Sequence, residues 1–270
     1  MTEFDPATYR PQPDELADRV ILVTGASGGI GSAVALACAT HGARVVLTGR
    51  KVKKLEELYD AIRAAGGPRP SIAPLDFERA DASHYAALAD AVRSEFGRLD
   101  GLAHVAAQLG ERAPIEHHDV VAWMRTMHVN VNVPFILTQS LLPLLKASRD
   151  ASVVFTTSGV SVRGRAYWGS YAASKFAVEG LMQVLADETG TFPQVRVNSL
   201  NPGPVRTAMR AKAYPGEDAS TVAPPSACVP AYLWLLGPAS RGVSGRRYDA
   251  QPSSRPMPRR TPLPLQWGPE

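Results

Sequence analysis

Six short runs rich in β-branched and apolar residues recur along this chain, separated by stretches with helical patterning. That alternation limits the folds open to it more than any other feature. The runs "RVILVTG" (19–25), "ARVVLTG" (43–49), "SIAPLD" (71–76), "LDGLAHVA" (99–106), "ASVVFTTS" (151–158) and "VRVNSLNPG" (195–203) read as strands. Several are continuously apolar, as expected of parallel strands covered on both faces. Residues 30–41, 51–65, 81–96, 119–147 and 170–191 read as helices between them. The β-α-β-α order predicts an α/β fold: one doubly wound parallel sheet with helices on both faces and right-handed crossovers. Ligands of such sheets sit beyond the carboxyl ends of the strands.

The 270 residues suit one large domain, expected over 16–250, after an irregular start (1–15) and before a proline- and arginine-rich tail (251–270). The start, "MTEFDPATYRPQPDELADR", has no apolar signal-peptide core, and the longest apolar runs, such as "AYLWLLG", are too short to span a bilayer. A cytoplasmic protein without membrane contact is therefore expected. Cys38 and Cys228 make neither a disulfide framework nor a metal cluster, and adjacent His117 and His118 cannot share a helix face, so no metal is expected. The net charge of +4 comes from residues 241–270, where six arginines face two acids. With no basic stripe interleaved with aromatics, nucleic acid is not an expected partner. The tail reads as disordered or as an arm on a neighbouring subunit.

The first strand runs into "TGASGGIGSAVA". Gly25, Gly29 and Gly31 stand between an apolar strand and an alanine-rich helix, the setting of a dinucleotide-binding turn. Glycine permits the tight turn and lets a pyrophosphate approach backbone N–H groups at the helix start. A tight βα connection without a ligand would also use such glycines. No Gly-Lys-Ser/Thr follows, which excludes a P-loop. At the end of the second strand an acid would bind the ribose 2′-OH of NAD. Here Gly49 occupies that place and Arg50 follows, a pattern that suits the 2′-phosphate of NADP(H), with NAD(H) the alternative. Asp76, ending the third strand, could accept from the adenine amino group or cap a helix.

"GSYAASKFAVEG" (169–180) places Tyr171 and Lys175 four apart, on one face of a helix. Free, they titrate at about 10 and 10.4, outside the useful range of an acid/base catalyst at neutral pH. A neighbouring ammonium favours the phenolate, as would a bound oxidised nicotinamide, and so moves Tyr171 toward that range. Ser158, thirteen residues earlier, and Asn130, in "HVNVNVPF", add a hydroxyl for a carbonyl oxygen and an amide that could anchor a water.

Together these motifs resemble the short-chain dehydrogenase/reductase family across about residues 16–250. "TGASGGIG" is similar to the family's glycine turn, Asn130, Ser158, Tyr171 and Lys175 to its catalytic set, and "NPGPVRT" (201–207) to its nicotinamide-side segment. Within the family, "WGSYAASKFAVEGLMQVLADE", "NPGPVRTAMRA" and "YDAQP" look most like the bacterial YciK-type oxidoreductases. The resemblance implies a Rossmann-type sheet and hydride transfer between NADP(H) and a small carbonyl or secondary alcohol, with Tyr171 as acid/base. It implies that Ser158 orients the reacting oxygen, that Lys175 also binds the nicotinamide ribose, and that Asn130 holds a water. It extends the cofactor-binding set to Ser27, Ile30, Phe77, Ala106, Pro202, Gly203, Val205 and Thr207. It also implies a homodimer or homotetramer through the helices at 119–147 and 170–191. One motif departs: where the family has Asn-Asn-Ala-Gly, this chain has "HVAA" (104–107), which puts strand tethering and cofactor affinity in question. A catalytically silent dinucleotide sensor is the competing reading. Residues 207–225 have the length and Gly/Pro content of a lid, and Arg163, Arg165 and Arg210 could favour an anionic substrate.

Overall fold

The structure is a computed structural model in which residues 8–251 are described. The proline- and arginine-rich tail beyond Gln251 and the first seven residues lie outside that range. Seven parallel strands form one sheet in the order β3-β2-β1-β4-β5-β6-β7. They are β1 (Val20–Thr24), β2 (Arg44–Gly49), β3 (Ser71–Pro74), β4 (Gly101–His104), β5 (Ala151–Thr156), β6 (Val195–Asn201) and β7 (Arg247–Asp249). Among the described residues eight α-helices flank it: α1 (Gly29–Thr40), α2 (Val52–Ala64), α3 (Ala82–Phe96), α4 (Val120–Met127), α5 (Val133–Lys146), α6 (Gly169–Glu188), α7 (Ala208–Ala213) and α8 (Val229–Leu236).

Alternation along buried strands divides the core in two. Ile21, Val23, Val45 and Leu47 face α1, α2 and α8, whereas Val20, Leu22, Val46, Leu102 and Phe155 face α3, α5 and α6. Helix α2 sends Leu55, Leu58 and Ile62 into the first half, an i, i+3, i+7 stripe that leaves its charged residues in solvent. Helix α3 starts on a capping box, with Asp81 accepting from Ser83 and His84, and stops at Gly97 with φ +73°. This assigns the helix-capping role to Asp81 and leaves Asp76 another task. The strand order grows outward in opposite directions from β1 and β4, which run parallel, and this switch opens a crevice at their carboxyl ends.

Helix α7, helix α8, strand β7 and a break inside the helix predicted over 119–147 have no counterpart in the sequence reading. Helix α8, "VPAYLWLL", buries six of its eight residues and so has no polar face to reveal its period. Strand β7 has three residues and is defined by its pairing with β6. The predicted helix 119–147 is interrupted by a π-turn, His128–Asn132, between α4 and α5. Such bulges often mark functional positions, and this one carries Asn130.

At the opposite end of the sheet an ion cluster joins the strand starts. Asp150, just before β5, accepts from Arg19 Nη1 at 2.9 Å and Arg241 Nε at 3.1 Å, and it also pairs with Arg196. Arg19 additionally donates to the carbonyls of Asp100 and Asp150 at 2.9 and 2.7 Å. Among the described residues no helix is long and apolar enough to cross a membrane.

Candidate active site

The glycine turn follows β1. Gly25 has φ +67°, and a Cβ there would sit 2.9 Å from the Cα of Ala106. A Cβ at Gly31 would run into the carbonyl of Gly25. Helix α1 begins at Gly29 with no side-chain cap on its N-cap residue, Gly28, and no acid in its first turn. Its leading N–H groups therefore suit an anion, which the macrodipole also favours.

A cleft of about 370 Å³ runs from this turn to α6. Its walls include Gly25, Ser27, Gly29, Ile30, Gly31, Arg50, Asp76, Phe77, Ala106, Tyr171, Lys175, Pro202 and Thr207. The fold thus brings these sequence-selected residues together. The catalytic candidates Ser158 and Asn130 are not among its walls, and neither are two of the cofactor-binding candidates. Val205 is buried in the core beside Leu200 and Ala231. Gly203, with φ +74°, packs against Gln251, which donates to the carbonyls of Pro202 and Pro204.

At the adenine end, Asp76 accepts from the N–H of Glu78 at 3.2 Å and so braces the turn after β3. Arg50 donates to Glu78 at 3.0 Å, and Glu78 also takes Arg125 at 3.5 Å and Gln108. Sequence reading missed Glu78: a carboxylate does face Arg50, but it arrives from the β3–α3 turn, where no strand-end rule looks for one. A Cβ at Gly49 would lie 2.9 Å from Ser27 Oγ, so the strand end itself is crowded.

At the other end, Lys175 is buried on α6 and donates from Nζ to Thr156 O at 2.8 Å. Its Nζ lies 5.7 Å from the centroid of the Tyr171 ring. Burial pushes the Lys175 ammonium down to about 8, partly offset by Glu179. Burial pushes the Tyr171 phenol up to about 12, while a hydrogen bond with Ser158 pulls the other way. This corrects the expectation that the Tyr–Lys spacing by itself lowers the phenol: desolvation is the larger effect in the protein alone.

Ser158 lies two residues beyond β5, where its side chain caps a short 3₁₀ turn (Gly159–Ser161). The Asn130 amide makes three of the four hydrogen bonds open to it. Its Oδ1 accepts from Gln108 N at 2.7 Å, and its Nδ2 donates to Gln108 O at 2.9 Å and Ser174 Oγ at 3.0 Å. The second lone pair of Oδ1 is the acceptor left for the water expected from sequence. The amide also ties the loop after β4 to the helix that carries Tyr171.

The "HVAA" segment is held by the adjacent strand. Thr24 Oγ1 accepts from the N–H groups of Val105 at 2.9 Å and Ala106 at 3.0 Å, holding β1 and β4 together where the family's second asparagine is absent. His104 is buried, stacks on Phe155 with centroids 4.8 Å apart, and bonds Thr138 at 2.8 Å. Burial, and then the charge of Lys175, lower its pKa to about 3, so it stays neutral.

Beside Tyr171, Trp168 packs at 5.9 Å between ring centroids and reaches Tyr214 at 5.7 Å. The segment after Thr207, read as a lid, holds α7 and folds back through an Arg210–Glu217 pair, with Arg210 over the Tyr214 ring at 3.8 Å. Arg210 is thereby engaged and is not a free cation for substrate. Arg163 and Arg165 are exposed.

The sequence pattern described as short chain dehydrogenase matches residues 19–218. The protein called uncharacterized oxidoreductase YciK, from Escherichia coli K12, is 47% identical over 248 residues, 92% of this chain and 98% of its own. A short chain dehydrogenase structure from Shigella flexneri superposes with TM-score 0.90 at 46% identity, covering 94% of this chain and 98% of that one. A candidate short chain dehydrogenase from E. coli CFT073, solved with NADPH, superposes with TM-score 0.87 at 48% identity, covering 90% of this chain and all of that one. Together with the seven-stranded parallel sheet and the glycine-lined cleft, these matches settle the family: the chain belongs to the short-chain dehydrogenases, a family of oxidoreductases.

Proposed function

We propose that the protein is an NADP(H)-dependent oxidoreductase that moves hydride between the cofactor and a small carbonyl or secondary alcohol, with Tyr171 as acid/base. The observation that carries this reading is the meeting, in one cleft, of the uncapped start of α1 with Tyr171 and Lys175. The cofactor supplies the hydride chemistry when bound; the chain supplies orientation and electrostatics. The N–H groups at the start of α1 take the pyrophosphate. Lys175 has three donors and gives one to Thr156 O, which leaves two for ribose hydroxyls. Tyr171 donates its proton to the carbonyl oxygen, and Ser158 orients that oxygen from the neighbouring turn. Asn130 fixes the Gln108 loop against α6.

The cofactor preference rests on Arg50 beside Gly49, and the NADPH-bound relative agrees with it. Arg50 must exchange Glu78 for the 2′-phosphate. This is feasible because the Arg50 side chain is exposed and Glu78 only half-buried, and pairs near the surface contribute about 0–1 kcal/mol. Fluorescence titration is expected to give tighter binding of NADPH than NADH, and Arg50→Ala is expected to weaken NADPH about tenfold or more with NADH little changed. Equal affinities in the wild type would overturn the preference. A panel of carbonyl compounds with NADPH then tests the activity. Tight binding without turnover on any compound would favour a silent sensor.

Apolar side chains stand exposed on the helices flanking the site: Val120, Val121 and Met124 on α4, Phe135 on α5, Phe176 and Val184 on α6. They support a homodimer or homotetramer through these helices. Sedimentation is expected to give two or four chain masses, with Phe176→Glu lowering the assembly. A monomer at micromolar concentration counts against this.

A further inference from the structure

Glu179, one turn beyond Lys175 on α6, is a charged side chain that the proposed mechanism does not use, and it is buried at 8% exposure. Burying a carboxylate is costly unless it is paired and hydrogen-bonded, so its partners show what it holds in place. Ser199 Oγ on β6 donates to it at 2.6 Å. Arg247 Nε on β7 lies 3.2 Å from Oε1, and the other guanidinium nitrogens of Arg247 reach Asp249. The third partner is Ser161, in the turn that Ser158 caps. The Ser161 hydroxyl lies 3.0 Å from Glu179 Oε1 and 2.7 Å from the carbonyl of Ser158, with one hydrogen to share between them.

We propose that Glu179 is a positioning residue for the reaction: its buried carboxylate locks the Ser158 turn onto α6 through Ser161 and supplies the counter-charge that keeps Lys175 an ammonium. This rests on the reading of Tyr171 and Lys175 as the acid/base pair. The geometry for the first role is a chain from Ser158 O through Ser161 to Glu179, on the same helix as Tyr171. For the second, Glu179 stands four residues from Lys175 on the same helix, and among the described residues it is the carboxylate whose charge acts on Lys175. Tyr171 on α6 is a neutral phenol, His104 on β4 is neutral, Tyr232 on α8 is neutral, and Thr156 on β5 offers a carbonyl. Around Glu179 itself, Arg247 on β7 is the competing cation, and it is shared with Asp249. Burial drives Lys175 toward the neutral amine, and Glu179 opposes this.

The test is the pH profile of kcat for NADPH-dependent carbonyl reduction in the wild type, Glu179→Gln and Glu179→Asp. Glutamine keeps the shape and an acceptor oxygen but not the charge. The alkaline limb is expected to move about one pH unit toward acid in Glu179→Gln, an activity loss of about tenfold near pH 8, and to return most of the way in Glu179→Asp. A limb that coincides with the wild type, whatever the drop in kcat, overturns the proposal and leaves Glu179 a structural residue. If Glu179→Gln does not fold, Ser161→Ala tests the positioning role: kcat is expected to fall about tenfold with the cofactor dissociation constant unchanged, and an unaltered kcat overturns it. Tyr171→Phe run in parallel separates the readings. If that variant stays active, the acid/base assignment itself fails. If it is inactive while Glu179→Gln keeps the wild-type limb, only the role of Glu179 fails.

Discussion

Tyr171→Phe is expected to lower kcat by about 10²–10⁴-fold, the contribution of a positioned acid/base, while NADPH binding stays within about twofold. The aromatic ring remains in the variant without its hydroxyl, so Trp168 and Lys175 keep their neighbour and the cleft keeps its shape. What disappears is the proton. The direction of reaction matters for the pH dependence. Burial raises Tyr171 to about 12 in the protein alone, so the neutral phenol needed to protonate a carbonyl oxygen is present at all physiological pH values. Alcohol oxidation needs the phenolate and is expected to accelerate as pH rises, until the Lys175 ammonium is lost. Stopped-flow rates in both directions, with a separate fluorescence titration for binding, check this. Near wild-type turnover in Tyr171→Phe would exclude the residue as the acid/base.

The second large effect concerns stability and lies at the far end of the sheet. Asp150→Ala removes the carboxylate shared by Arg19, Arg196 and Arg241 and leaves two guanidiniums buried without a counter-ion. Breaking a buried pair from one side costs about 3–5 kcal/mol. For a domain of this size that is a drop in Tm on the order of 10 °C, read by calorimetry. Burial by itself would raise the Asp150 pKa, but Arg196 and Arg19 outweigh it and hold the carboxyl below its usual range. A depressed carboxyl stabilises the folded state above its unfolded pKa of about 3.9 and loses that contribution as pH falls through the lower, folded value. Wild type is therefore expected to lose this share of its stability only below about pH 4, and the variant to lack it at pH 7. A Tm within two degrees of wild type at pH 7 would show that the cluster contributes little.

Both residues bear on what could be read before the structure. Tyr171 was legible because its spacing from Lys175 is a local fact: four residues on a helix share a face whatever surrounds them. Asp150 was not, since its partners lie 131, 46 and 91 residues away and meet only when the strand starts align. Glu78 was missed for the same reason. It reaches Arg50 across the β2–β3 edge, and nothing in "LDFERAD" marks it out. Thr24 shows the reverse case. "HVAA" looks like a loss in the linear pattern, yet a hydroxyl on the adjacent strand ties its backbone in place.

By itself, the sequence determined the sheet and its crossovers, the glycine turn, and the placing of Tyr171 with Lys175. Each rests on short-range periodicity or on the missing Cβ of glycine, which neighbouring residues alone decide. Tertiary structure decided how those groups are charged and what holds them: desolvation raising the Tyr171 phenol, the Asn130 amide committed to Gln108 and Ser174, Glu78 facing Arg50, and Glu179 joining the Ser158 turn to α6. Burial and long-range partners set these properties, and both come into being only when distant strands are brought side by side.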